Sequence, residues 1–198
     1  MVATSLQAVL MNWADLRNAA GGNGVLEAVL PIPSLSRSFC EMSSTLFTIG
    51  YEKRTEQEYV DLLREAGVDV VIDVRETAWS HKPGFSKSAL NDALAAVEIE
   101  YVHASFAGNP KHLREIAEDH KECIANFRRY LAVMPEILRE LDCLIQSYIS
   151  LGLSVALTCF ERHPGDCHRS ILADAWASTS YRNVEHLGPT GCRRLIRA

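Results

Sequence analysis

From Thr45 onward the apolar positions follow two rhythms in turn, short β-branched runs and longer stretches at helical spacing. Residues 46–49 are a brief apolar run closed by Gly50-Tyr51, which predicts a strand. Thr55 and Glu58 have the spacing of a capping box, and Tyr59, Leu62, Leu63 and Ala66 recur on one helical face until Gly67. Residues 68–74 are almost continuously apolar, as in a strand covered on both faces, and lead into Asp73-Val74-Arg75-Glu76. A loop over 77–85 holds Trp79, His81, Lys82, Pro83 and Gly84. Ser86 then caps a predicted helix with Ala89, Leu90, Ala93, Leu94 and Val97 inward.

Residues 99–103 read as a third strand. The Gly108-Asn109-Pro110 break opens a helical region to about 151, which Pro135 divides into two helices. A fourth strand covers 153–160, a helix opened by Asp166 runs to about 179, and 184–187 read as a fifth strand. The alternation predicts one three-layer α/β domain over 45–198, with a mostly parallel sheet of about five strands flanked by helices. Residues 1–44 form a different segment. They carry few charges, a Gly21-Gly22-Asn23-Gly24 breaker and Pro31-Ile32-Pro33. We expect a partly irregular extension with a short helix over 6–18, whose apolar residues could support a homodimer.

Ligands of parallel sheets sit beyond the carboxyl ends of the strands. That rule gathers Tyr51, Asp73, Arg75, His103 and the segment Cys159-x-Glu161…Cys167-His168-Arg169. Glu161 and Asp73 are the candidate acid–base groups, or else capping and ion-pairing carboxylates. Cys167 is placed in the first turn of its helix beside His168 and Arg169, where a thiolate is stabilised. It reads either as a nucleophile or as a small buried residue at a turn; for Cys159 the buried reading is favoured. Arg169, third in that helix, would hold an anion with Arg75 as the opposite jaw, or would pair internally with Asp73 or Glu161. Tyr51, His103 and His168 complete the ligand-facing set.

Composition narrows the partners. The net charge of −5 disfavours sequence-blind binding to a nucleic-acid duplex but leaves a nucleotide or nucleic-acid end open. The six cysteines are irregularly spaced without a CxxC, and no apolar run approaches a spanning helix or a secretory leader, so a cytoplasmic chain with reduced thiols and no membrane partner is expected. Neither GxGxxG nor GxxxxGK[ST] occurs. A Cys-x7-Cys spacing is not that of a zinc knuckle, and adjacent Cys-His pairs seldom turn to one ion. No metal and no cofactor are therefore expected.

Thr48-Ile49-Gly50-Tyr51, Asp73-Val74-Arg75, Tyr101-Val102-His103 and above all Cys159-x-Glu161…Cys167-His168-Arg169 resemble domain-of-unknown-function family 488, over about 45–187. The resemblance implies a compact prokaryotic α/β domain and supplies no catalytic residue. Similar sequences often have His where this chain has Tyr51, and a Leu-Gly-Gly type segment where it has Phe106-Ala107-Gly108-Asn109. Three functional expectations follow: a site for a small anionic, phosphate-bearing ligand with acid–base catalysis; thiol or redox chemistry at Cys167 with Cys159 resolving; or a non-enzymatic interaction module whose strand ends form an internal polar lock.

Overall fold

The computed structural model describes residues 44–178 and 182–188. The expected extension, its helix and its dimer contact lie outside the described residues, apart from Ser44. Strands β1 (Ser44–Gly50), β2 (Val70–Asp73), β3 (Glu100–His103), β4 (Val155–Cys159) and β5 (Arg182–Leu187) form an all-parallel sheet in the order β3-β2-β4-β1-β5. The helices are α1 (Glu56–Glu65), α2 (Lys87–Ala95), α3 (Lys111–Glu115), α4 (His120–Val133), α5 (Pro135–Ile149) and α6 (His168–Ala177).

The strand pleat sends alternate residues to opposite faces. Leu46, Val70, Ile72, Val155 and Leu157 meet Phe127, Leu131, Leu141, Ile145 and Leu172 of α4, α5 and α6. Ile49, Val71 and Ala156 meet Tyr59, Leu63, Leu90 and Leu94 of α1 and α2. Both faces of the central strands are thus covered, giving the expected three-layer α/β domain and explaining the unbroken apolar runs of β2 and β4. Among the described residues no helix is long and apolar enough to cross a membrane.

Local signals mostly act as the sequence indicates. Thr55 Oγ1 accepts the Glu58 N–H at 3.1 Å and Glu58 returns a carboxylate to the Thr55 N–H at 2.7 Å. Pro135 is the first residue of α5, where its missing N–H costs nothing. Three details differ. Ser86 stands at the N-cap of α2 without a side-chain cap; instead the Lys87 N–H is satisfied by the Ala78 carbonyl at 2.8 Å. The region after Pro110 contains three helices rather than two, because α3 stops after one turn and Asp119 starts α4 with its own cap. Asp166 closes a 3-10 turn (Pro164–Asp166) rather than opening α6, which begins at His168. Cys167 is therefore the N-cap residue and Arg169 the second helical residue, each one step earlier than expected.

Candidate active site at the carboxyl ends of three strands

β2, β4 and β1 are neighbours and end almost level, with Gly50 opposite Cys159 and Asp73 opposite Thr158. The ladder continues past β1 through Tyr51 N–H to Cys159 O at 3.3 Å and Glu52 N–H to Phe160 O at 2.8 Å. The chain leaving β4 then passes so close to β1 that a Cβ on Gly50 would lie 1.8 Å from the Glu161 carbonyl oxygen. Only glycine permits that approach. The turn is also held from the sides. Arg169 donates to the carbonyls of Glu161 and Arg162 at 2.5 and 3.3 Å, and Glu52 accepts the Arg162 N–H at 3.0 Å.

This scaffold brings four side chains together. Cys159 Sγ lies 3.5 Å from Glu161 Oε2 and 3.5 Å from His168 Nδ1. One donor atom from each of Cys159, Glu161, Cys167 and His168 falls within 4.8 Å of all the others. The imidazole is turned by its other nitrogen, since Nε2–H donates to the Val74 carbonyl at 2.8 Å. The adjacent Cys167 and His168 do face one point, contrary to expectation. Cys167 has extended backbone at the N-cap (φ −127°, ψ 138°), whereas His168 is already helical, so the two side chains converge.

Ionisation within the group is linked. Burial, and next the neighbouring Cys167, push the Glu161 carboxyl up to about 7. A hydrogen bond to Cys167, reinforced by burial, raises the Cys159 thiol well above its usual range. Burial alone would raise Cys167 as well, but bonds with Cys159 and His168, and the Arg169 charge, bring it well below. For His168 burial is likewise outweighed, and its contact with Cys167 raises it.

Beside this cluster stands a second, closed network. The fully buried Asp73 carboxylate takes Arg75 Nε at 2.9 Å and Arg75 Nη2 at 2.5 Å, and the Tyr101 hydroxyl at 2.7 Å. Arg75 Nη1 donates to the Tyr51 hydroxyl at 2.7 Å and to the Phe85 carbonyl at 3.0 Å. The Tyr51 ring stacks on Phe85 with centroids 4.4 Å apart. Asp73 and Arg75 thus satisfy each other. Tyr51 is one of their partners and does not pack on α1 alone. His103 reaches the Arg75 carbonyl at 2.8 Å.

A cleft of about 570 Å³ opens over the strand ends. Tyr51, Arg75, Cys159, Glu161 and His168 border it, whereas Asp73, His103, Cys167 and Arg169 do not. Arg169 is 1% exposed and is bonded to backbone carbonyls, neither to a ligand-facing position nor to Asp73 or Glu161 as an ion pair. Other residues of the cleft went unrecognised in the sequence. Trp79, His81 and Lys82 come from the loop after β2, and Arg114 and His120 from α3 and α4. The signal available was a run of aromatic and basic residues in a loop directly after a strand end. Trp79 is 61% and Phe160 44% exposed, unusual for large rings beside a buried cluster.

The sequence matches the family described as Domain of unknown function DUF488 over residues 55–176, well over half of the chain. The chain belongs to this family. The matched span contains β2, β3, β4 and all but the last residue of α6, and so all four clustered side chains; β1 and β5 lie beyond its ends. The DUF488 match lies inside the 45–187 span read from motifs. No curated protein and no solved structure matches the chain.

Proposed function

We propose that the cleft binds a small anionic ligand, phosphate-bearing as in a nucleotide or a nucleic-acid end, and that Glu161 exchanges a proton with it. One observation carries this reading: Lys82, Arg114, His81 and His120 border the same cleft as the Glu161 carboxyl. The anion is met by Lys82 and Arg114 rather than by Arg75 and Arg169, which are buried and whose terminal guanidinium nitrogens are engaged by internal partners. Arg114 pairs with Glu76 at 2.6 Å, but both side chains are partly exposed, so turning to a ligand costs little. The exposed rings of Trp79 and Phe160 suit a planar base.

Calorimetric titration of the full chain with AMP and with inorganic phosphate tests the proposal. AMP should bind more tightly than phosphate. Arg114→Ala should weaken both by roughly tenfold, the value of one charge-assisted hydrogen bond. Unchanged affinity in both Arg114→Ala and Lys82→Ala would refute it.

The meeting of two sulfurs favours a second reading, thiol–disulfide exchange with a small disulfide. The Cys167 thiolate would attack one sulfur and expel a thiolate. Cys159 would then displace the second thiolate, lose its proton, and leave a Cys159–Cys167 disulfide; the two electrons pass to the small disulfide. Oxidised glutathione should then remove two hydrogens from the chain, and Cys159→Ser should trap a mixed disulfide at Cys167. Neither product forming would reject it.

A further inference from the structure

We infer that Cys159, Glu161, Cys167 and His168 bind one divalent transition-metal ion of the zinc class, with Glu161 as the ligand turned to the cleft. This deepens the first reading above, since it rests on the same cluster being the working centre of the cleft.

The spacing of the donors is that of a tetrahedral site. With metal–sulfur bonds of about 2.3 Å and metal–nitrogen or –oxygen bonds of about 2.0–2.1 Å, the edges between sulfur and the lighter donors come to about 3.5 Å. Cys159 Sγ stands 3.5 Å from both Glu161 Oε2 and His168 Nδ1. All four donors lie within 4.8 Å of one another, close enough to share one ion with a small inward adjustment. Two sulfurs, an imidazole and one carboxylate select a borderline-soft cation over magnesium or calcium, which prefer all-oxygen shells.

The surroundings match the donors. Metal-bound histidines characteristically give their second N–H to a carbonyl or carboxylate, which leaves the other lone pair free for the ion. His168 does this through Val74. Charge supplies an independent argument. Arg169 is buried and binds the Glu161 carbonyl, yet among the described residues it makes no ion pair with a carboxylate, and its Nε has no hydrogen-bond partner. A buried cation needs an anion nearby. Two thiolates, a carboxylate and a divalent ion sum to one negative charge, which Arg169 balances. Cys159, Glu161 and His168 also border the cleft, so a ligand entering it could displace Glu161 from the ion.

The test is cobalt titration of the full chain after chelator treatment, with the metal content of untreated protein measured by mass spectrometry. One equivalent of Co(II) should give thiolate-to-cobalt charge-transfer bands and the intense visible bands of a tetrahedral ion. Zinc should bleach both. Cys159→Ser should lose the charge-transfer intensity that Cys143→Ser, at an exposed thiol, keeps. Glu161→Gln should retain the charge-transfer bands but shift the visible ones, and reads the site even where a cysteine variant does not fold. Absent charge-transfer bands, or bands that persist unchanged in Cys159→Ser, would overturn the inference. Titrating the same preparation with AMP separates the two claims: binding of AMP without cobalt bands sinks the metal centre alone.

Discussion

His168 and Val74 are 94 residues apart in sequence and joined by one hydrogen bond of 2.8 Å, from the imidazole Nε2–H to the main-chain carbonyl just past β2. That bond ties the start of α6 to a strand two elements of the sheet away from β1, and it aims Nδ1 at Cys159. The ring is further held edge-on by Phe127, with centroids 5.2 Å apart. The orientation of a site residue is therefore set by the sheet and the core rather than by its own helix.

Replacing His168 should disturb both roles. His168→Ala leaves the buried Val74 carbonyl without its partner and a gap beside Phe127. We expect a loss of about 2–3 kcal/mol in urea unfolding, the cost of an orphaned buried acceptor together with lost packing. A loss below about 0.5 kcal/mol, within the usual range for surface substitutions, would show that the bond is not structural.

Asp73 is buried behind Arg75, which it holds through a two-point ion pair, and only Arg75 of the two borders the cleft. Asp73→Asn strands a buried guanidinium and should cost about 3–5 kcal/mol, whereas Tyr101→Phe removes one hydrogen bond and should cost about 1 kcal/mol. Where Asp73→Asn remains folded, its affinity for AMP should stay near that of the unaltered protein. A tenfold loss of affinity in well-folded protein would place Asp73 in contact with the ligand.

These contrasts bear on what the sequence discloses. The sheet was legible because β2 and β4 are buried on both faces and can hold little but apolar residues. The capping box at Thr55 and the start of α5 at Pro135 were legible because both act within a few residues. The internal partners of Arg169 were not legible because they are backbone carbonyls, which leave no trace in residue identity. Cys167 and His168 were expected not to turn to one point because adjacent Cys-His pairs seldom do, and a single extended residue at the N-cap brings them together. Lys82, Arg114 and His120 were missed because a loop, the end of α3 and the start of α4, spread over 38 residues, are brought to one cleft only by the tertiary fold.

Acid titration should report the clamp on the chain after β4. The Arg162 N–H bonded to Glu52 holds that carboxyl below its ordinary value of 4.5. A carboxyl lowered in the folded state stabilises the fold above its unfolded value and loses that contribution as pH falls through the folded one. Glu52→Ala should therefore melt below the unaltered protein at pH 7, with the gap closing as pH drops below about 4.5. A gap that is constant with pH would mean that Glu52 contributes through packing alone.

The central claim is that the Cys159–Glu161–Cys167–His168 cluster and the basic residues around it form one ligand site. It is tested most directly by titrating AMP into isotopically labelled protein and mapping the NMR shifts. The account predicts that the largest changes fall on Lys82, Arg114, Glu161 and His168 and saturate with a single binding constant. Changes centred instead on His163 and His186, beside the separate hollow lined by Glu52 and Leu187, would contradict it.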